Sequence, residues 1–242
     1  MNTIKIDKNG TDVKMIAHRG LSGLEQENTC AAFVAAGNRE TYFGIETDIH
    51  CTSDGAFIII HDDSTERVTG QNLFVEQTDF QTLRNLPVFD RGSDLPRGDL
   101  QLPTLQEYIS ICKRYEKTAV LELKNPIPEN DICKIMAIIR QMGYTEHTIV
   151  ISFYPENLLT LRKHHPDQTA QFLTEQWEDD WFNTLKQNNL GLDIYHKSVT
   201  KELVEKFHNA GLKVNCWTVD DPEDAARVIA CGVDYITTDI LE

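Results

Sequence analysis

The chain of 242 residues is long enough for one large α/β barrel or for two small domains, and its composition is that of a globular protein. Its net charge of −15, from 38 acidic and 23 basic residues, argues against general binding to nucleic acid or to anionic membrane surfaces. No apolar run approaches the roughly 18 residues of a membrane span, and residues 1–15 lack the apolar core of a signal peptide. We therefore expect a cytoplasmic protein without stable membrane insertion.

The six cysteines show neither a C-x-x-C pair nor a histidine at zinc-finger spacing. Free cysteine is commonly buried, and cytoplasmic thiols stay reduced. We therefore expect buried, reduced thiols, and Cys51, just after the acidic strand, is the one to watch for oxidation.

The first polar motif of the chain follows its first predicted strand. Residues 13–17 form a short apolar strand, and His18-Arg19-Gly20 comes directly after it. A helical pattern then covers residues 29–38, with Asn28 and Thr29 as suitable capping residues.

A second strand begins at Gly44 and carries two acids, Glu46 and Asp48. Period-2 alternation places both carboxylates on one face, where burial is costly without a cation or a shared proton. A solvent-facing polar strand is the alternative. A turn signal at 52–55 and an apolar run at 56–60 predict a hairpin, which would bring His61 back toward the two acids.

The pattern loosens at residues 63–103, where glycines and prolines interrupt scattered apolar positions. A stretch of this length without periodicity is typical of an insertion or lid. Strands and helices then alternate regularly. Helices are predicted over 104–114, 130–142, 155–164, 177–187, 200–210 and 222–231, and strands over 118–123, 147–153, 169–174, 190–195, 212–219 and 233–237.

With the hairpin strand left aside, eight strands begin at residues 13, 44, 118, 147, 169, 190, 212 and 233. Their alternation with helices predicts right-handed β-α-β units and a closed (β/α)8 barrel, an α/β fold, with an insertion between the second strand and its helix. The whole chain, 1–242, would form this one domain. Catalytic residues in such barrels lie at the carboxyl ends of the strands.

Three acids are expected to meet at that end of the barrel. Glu122 lies on the third barrel strand, next to the strand that carries Glu46 and Asp48. An oxygen-rich cluster of this kind suits Mg²⁺ or Ca²⁺ better than zinc. An ion pair between Glu122 and Lys124, which share a face of their strand, is the alternative for Glu122.

His18 and His61 each follow an apolar strand at the same end. A histidine there is often only structural, but two of them beside a carboxylate cluster could act as general acid and base. Arg19 and Lys124 could bind the non-bridging oxygens of a phosphate. A metal, two histidines and two cations together indicate phosphodiester chemistry.

These motifs, taken in order, resemble the glycerophosphodiester phosphodiesterase family from residue 13 to residue 239. They are His18-Arg19-Gly20, Glu27-Asn28-Thr29, Glu46-Thr47-Asp48, Thr52-x-Asp54-Gly55, His61-Asp62, Pro103-Thr104-Leu105-x-Glu107, Glu122-Leu123-Lys124, Trp217-Thr218-Val219 and Thr238-Asp239. The family usually has proline before Glu-Asn-Thr, where this chain has Gln26. That departure removes no chemical group.

The resemblance implies a divalent metal, Mg²⁺ or Ca²⁺, held by Glu46, Asp48 and Glu122. It also implies His18 and His61 as the acid/base pair, Arg19 and Lys124 on the phosphate, and Trp217 lining the pocket for the glycerol or head group. A packed aromatic at the barrel rim is the alternative for Trp217.

The expected reaction is hydrolysis of a small glycerophosphodiester, such as glycerophosphocholine or glycerophosphoethanolamine, to glycerol 3-phosphate and an alcohol. Attack by water or by the substrate's 2-hydroxyl both fit, and His61 is expected to protonate the leaving alcohol. A hydrolase acting on lysophospholipid or phospholipid head groups and a non-catalytic phosphodiester-binding barrel are the alternatives. Homo-oligomer formation, the preferred head group and the choice of metal stay open.

Overall fold

Eight parallel strands close into a barrel in the computed structural model, which describes residues 2–242. The strands in chain order are β1 (Lys14–Ala17), β2 (Tyr42–Cys51), β3 (Phe57–Ile59), β4 (Thr118–Leu123), β5 (Thr148–Ser152), β6 (Ala170–Thr174), β7 (Gly191–Tyr195), β8 (Val214–Trp217) and β9 (Tyr235–Thr238). Their order is β1-β9-β8-β7-β6-β5-β4-β2-β3, and β1 also pairs with β2. The predicted (β/α)8 barrel is confirmed, with β3 as an antiparallel addition to β2.

Helices surround this ring, and most of them connect one barrel strand to the next. They are α1 (Cys30–Gly37), α2 (Glu66–Thr69), α3 (Phe80–Arg84), α4 (Leu105–Arg114), α5 (Glu129–Gln141), α6 (Pro155–His164), α7 (Phe182–Gln187), α8 (Lys201–Asn209) and α9 (Pro222–Cys231). Thr104 and Glu107 form a capping box at the start of α4, which satisfies backbone donors of its first turn.

The apolar core has two layers around the sheet. The larger layer lies between strands and helices, and a smaller cluster fills the barrel. Ile16, Val120 and Ile151 belong to this inner cluster, which supports the polar side chains of the strand ends. The barrel is thus a packed scaffold that presents its functional groups at one rim.

The segment 63–103 contains α2, a 3₁₀ turn at Val75–Gln77 and α3, so it has more regular structure than its sequence pattern indicates. Its apolar residues pack on the outer face of the β3 hairpin, in a cluster with Ile58 and Ile60. The ends of the segment meet, because the N–H of Ile59 donates to the carbonyl of Pro103 at 2.8 Å.

Two predicted boundaries are too wide. The helix expected over 177–187 begins at Phe182, after a 3₁₀ turn at Asp179–Trp181. Trp177 lies outside the helix, and its indole N–H donates to Asp179 at 2.6 Å. The strand expected over 212–219 is limited to Val214–Trp217. Within residues 2–242, none of the helices combines the length and the apolar character needed to cross a membrane.

Candidate active site

Three carboxylates converge at the carboxyl end of the barrel. Glu46 and Asp48 lie two residues apart on β2, and strand register places Asp48 opposite Glu122 of β4. One oxygen of each acid lies within 4.8 Å of an oxygen of the other two. A solvent-facing strand is the wrong interpretation, since Glu46 and Asp48 are 3% and 1% exposed.

The charges of this cluster are only partly balanced by the chain. Burial, followed by the neighbouring acids Asp48 and Glu122, raises the pKa of Glu46 well above its usual range. Burial and Asp48 likewise raise the pKa of Glu122 to about 7, although Lys124 opposes the shift. Burial also opposes ionisation of Asp48, but Arg19 and Lys124 outweigh it and lower the pKa of Asp48.

The donor set fits a divalent cation. Oδ1 of Asp48 accepts no hydrogen bond from the described residues, although it is buried. A buried carboxylate oxygen without a donor is costly, and a hard cation bound to oxygens would compensate it. Glu46, Asp48 and Glu122 are therefore the residues that could hold such an ion.

Glu122 and Lys124 also form the ion pair considered as an alternative, with Nζ of Lys124 2.9 Å from Oε1 of Glu122. Nζ also lies 3.6 Å from Oδ1 of Asp48. Burial opposes the charge of Lys124, but the two acids outweigh it and raise the lysine pKa. Lys124 is thus a permanent cation at the edge of the cluster.

Arg19 holds Glu46 through its backbone. Its φ of 54° lies in the left-handed region, and its N–H donates to Oε2 of Glu46 at 2.7 Å. Its guanidinium donates to Glu27 at 2.9 Å and lies 3.6 Å from Asp48. Gly20 follows with a φ of 76°, and a Cβ there would lie 2.6 Å from the backbone of Ala32. The motif His18-Arg19-Gly20 therefore sets the backbone conformation of this loop as well as supplying polar groups to the site.

Asn28 lies in the loop between β1 and α1, and it supports Asp48, one of the three candidate metal ligands. Its amide donates to Oδ2 of Asp48 at 2.7 Å, and its side-chain oxygen accepts from the hydroxyl of Thr47 at 2.7 Å. The backbone of Asn28 also has a φ of 52°, and its N–H donates to the carbonyl of Arg19 at 2.9 Å. The end of the loop that carries Gln26 is thus hydrogen-bonded both to Arg19, at the start of the loop, and to β2.

Each of the two candidate histidines has a carboxylate at Nδ1. Nδ1 of His18 lies 2.7 Å from Asp239, and Nδ1 of His61 lies 2.7 Å from Asp62. Such a contact selects the tautomer and leaves Nε2 for chemistry. Burial lowers the pKa of His61, helped by Arg19 and Lys124 and opposed by Asp48.

A narrow cavity of about 50 Å³ joins these groups at the centre of the rim. Both histidines, Arg19, Glu46 and Glu122 line it on one side. Its other walls are mostly apolar and aromatic, and they consist of Ile151, Phe153, Leu173, Asp193, Trp217 and Thr237. A polar cavity of about 460 Å³ adjoins His18, and another of about 280 Å³ adjoins His61 and Lys124.

The structure brings all eight predicted site residues to this region. Trp217 lines the cavity and also makes an edge-on contact with Phe153, with ring centroids 5.5 Å apart. The sequence predicts no role for Asp62 or Asp239, although each lies inside a quoted motif. For Asn28 it predicts only helix capping, a role that the structure gives to Thr29. Arg67 was missed because it lies in the segment without periodicity, and it donates to both Asp62 and Glu27.

Known proteins are similar to this chain in both sequence and architecture. The model of the glycerophosphoryl diester phosphodiesterase family matches residues 18–242. A glycerophosphodiester phosphodiesterase of Caldanaerobacter subterraneus subsp. tengcongensis is 31% identical over 229 residues, which cover 93% of this chain and 93% of that protein. A glycerophosphodiester phosphodiesterase of Bacillus altitudinis is 27% identical over 232 residues, covering 93% and 94% of the two chains.

A solved phosphodiesterase of Oleispira antarctica, in complex with the product sn-glycerol-3-phosphate, superposes with a TM-score of 0.84 at 26% identity, covering 93% of this chain and 92% of that one. The enzyme from Thermotoga maritima, at 20% identity and a TM-score of 0.74 over 94% of both chains, agrees in fold. The ordered motifs, the closed barrel and the match across the chain lead to one conclusion: the protein belongs to the glycerophosphoryl diester phosphodiesterase family.

Proposed function

We propose that this protein hydrolyses small glycerophosphodiesters to glycerol 3-phosphate and an alcohol, at the cluster formed by Glu46, Asp48 and Glu122. The observation that carries the proposal is the convergence of these three buried carboxylates beside two histidines that are each oriented by an aspartate. The family match supports the reaction class. The residue roles below are part of the proposal.

Glu46, Asp48 and Glu122 would hold a divalent cation, Mg²⁺ or Ca²⁺. A cation bound there would supply Lewis acidity toward a phosphate oxygen and neutralise developing negative charge. The side chains of Arg19 and Lys124, at the border of the cluster, would attract and orient the non-bridging phosphate oxygens. Asn28 would keep Asp48 in place through its 2.7 Å hydrogen bond.

His18 and His61 would move the two protons that the hydrolysis requires. One Nε2 would remove the proton of the attacking hydroxyl or water, and the other would protonate the leaving alcohol oxygen. The assignment of His61 to the leaving alcohol stays a prediction. Because burial lowers the pKa of His61, its ring favours the neutral state. His61 would therefore have to take up a proton before it could protonate the leaving alcohol.

The test uses purified protein with glycerophosphocholine and either Mg²⁺ or Ca²⁺, with released glycerol 3-phosphate measured directly. We expect turnover with at least one metal and its loss when a chelator removes the ion. Full turnover by protein shown to be free of metal would contradict the role of the three acids. Binding of substrate without product at saturating metal would contradict hydrolysis itself.

A further inference from the structure

We propose that Asp193 recognises the glycerol moiety of the substrate by hydrogen-bonding one of its hydroxyl groups at the wall of the central cavity. This inference rests on the proposed function, since it assumes that a glycerophosphodiester occupies the cavity. Asp193 belongs to none of the motifs quoted above, and the proposed chemistry gives it no role.

The position of Asp193 is unusual for an acid. It lies in the middle of β7, is 1% exposed, and lines the same cavity as Glu46 and Glu122. Its Oδ2 accepts one hydrogen bond, from Nδ2 of Asn215 at 3.0 Å. Its Oδ1 is buried and accepts no hydrogen bond from any of residues 2–242. One oxygen of a buried acid in the cavity wall is therefore left for a partner outside the chain.

A purely structural role does not explain this side chain. Other positions in the same wall carry apolar residues, among them Ile151 and Leu173. A half-satisfied carboxyl is less favourable in such a place than an apolar side chain of similar size. Burial, opposed by the hydrogen bond from Asn215 and reinforced by Glu122, raises the pKa of Asp193 well above its usual range, which favours the protonated form.

The neighbours of Asp193 hold it in one orientation. Nδ2 of Asn215 also donates to the hydroxyl of Thr237 at 3.0 Å, which fixes the amide that contacts Asp193. The indole N–H of Trp217 lies 3.4 Å from the backbone carbonyl of Asp193. These contacts hold Trp217 and the Asp193 carboxyl in fixed positions relative to each other, as a preorganised binding site requires.

The shape and chemistry of the cavity indicate a small polyhydroxy group. A volume of about 50 Å³ admits only a few heavy atoms beside the carboxylate cluster. Carbon atoms of glycerol could contact Leu173 and Trp217, while a hydroxyl reaches Oδ1 of Asp193. A site that hydrogen-bonds a substrate hydroxyl rejects analogues that lack it, because its polar group is then left unpaired.

The test compares two ligands with the same carbon skeleton, glycerol 3-phosphate and propyl phosphate, by titration calorimetry at saturating Mg²⁺ or Ca²⁺. We expect the wild type to prefer glycerol 3-phosphate by about tenfold or more. Asp193→Leu should reduce this preference to about threefold or less while binding propyl phosphate normally. Asp193→Asn, whose amide also donates and accepts, should keep most of it. Asp193→Ala serves as a second apolar variant if the leucine overpacks the cavity.

The outcomes separate this inference from the proposed function. An Asp193→Leu or Asp193→Ala variant that keeps the wild-type preference would overturn the role of Asp193 and leave the enzyme assignment standing. Equal losses for both phosphates would also overturn it, because they would indicate damage to the phosphate site. A wild type that binds neither phosphate would contradict both proposals.

Discussion

At the scale of single residues, the candidate site is built from groups that are each held by a second group. Asp239 lies against Nδ1 of His18, and Asp62 lies against Nδ1 of His61. The amide of Asn28 donates to Asp48 in the same way.

Replacing His18 or His61 by alanine should lower kcat/KM for glycerophosphocholine by about 10²–10⁴-fold, the usual contribution of a general acid or base.

The control for these variants is His208→Ala. His208 is also paired with a carboxylate, Asp234 at 2.8 Å, but it lies in α8 on the surface. We expect activity near the wild-type level from it. Retention of full activity by either His18→Ala or His61→Ala would remove that residue from the reaction.

Asn28 offers a second test, directed at metal binding alone. Removal of its amide leaves Oδ2 of Asp48 without the 2.7 Å hydrogen bond that orients it. Loss of a residue that orients a metal ligand typically costs about 10–100-fold in affinity, so Asn28→Ala should weaken Mg²⁺ or Ca²⁺ binding by at least about tenfold in calorimetry.

Asn28→Gly separates this effect from backbone strain. Glycine adopts the φ of 52° at no steric cost, whereas alanine does not. We expect the two variants to share the loss of metal affinity and only the alanine to lose additional thermal stability. Normal affinity in the glycine variant would show that the amide does not position Asp48.

At the scale of elements, β2 explains why the site could be predicted from the sequence. Period-2 alternation already placed Glu46 and Asp48 on one face, and the order of strands placed Glu122 beside them. The partners of these groups could not be predicted in the same way. Asn28 acts from a loop with left-handed backbone, and Asp239 meets His18 only because the barrel closes β9 against β1.

Arg67 of α2 is one residue through which the insertion contributes to the site. Arg67 donates to Asp62 at 2.7 and 3.0 Å and to Glu27 at 2.8 and 2.7 Å. It thereby connects the carboxylate that holds His61 with the carboxylate that holds Arg19. The lid role expected for residues 63–103 stays a prediction, but the contacts of Arg67 show that this segment supports the loops of the candidate site.

Replacing Arg67 by alanine should therefore lower kcat/KM by about tenfold, as expected when a group that orients a functional side chain is lost. Arg67→Lys should not restore the activity, because an ammonium cannot form the bidentate contacts of a guanidinium. Arg97→Ala is the matched control in the same insertion, since Arg97 pairs with Glu25, Asp90 and Asp99 instead. Equal effects of Arg67→Ala and Arg97→Ala would indicate general loosening of the insertion.

At the scale of the whole molecule, the carboxylate cluster predicts how stability depends on pH. Glu122 has a pKa of about 4.5 in the unfolded chain, and burial together with Asp48 raises this pKa to about 7 in the fold. Between these values the folded protein binds more protons than the unfolded one, so this group's contribution to stability is full below pH 4.5 and is lost as the pH rises to 7. The lowered pKa values of His61, His165 and His196 act in the opposite direction, below pH 6.5.

A comparison with Glu122→Gln at each pH isolates the acid. In chelator, the Tm of the wild type minus that of Glu122→Gln should be larger at pH 5.5 than at pH 7.5. Added Mg²⁺ or Ca²⁺ should raise the wild-type Tm more at pH 7.5, where fewer protons compete for the acids. A Tm difference that does not change with pH would contradict the raised pKa of Glu122.

The junction of the insertion with the barrel has a consequence for how this architecture can diversify. Ile58 and Thr104 are bridged, and Ile59 bonds to Pro103, so the chain leaves the barrel and returns to it at one point. A segment with adjoining ends can be lengthened, shortened or exchanged at little entropic cost to the rest of the fold. Provided that the contacts of Arg67 are kept, the outer surface of the insertion can therefore vary while the strands that carry the candidate site stay unchanged. The insertion and the candidate site can in this sense change independently of each other.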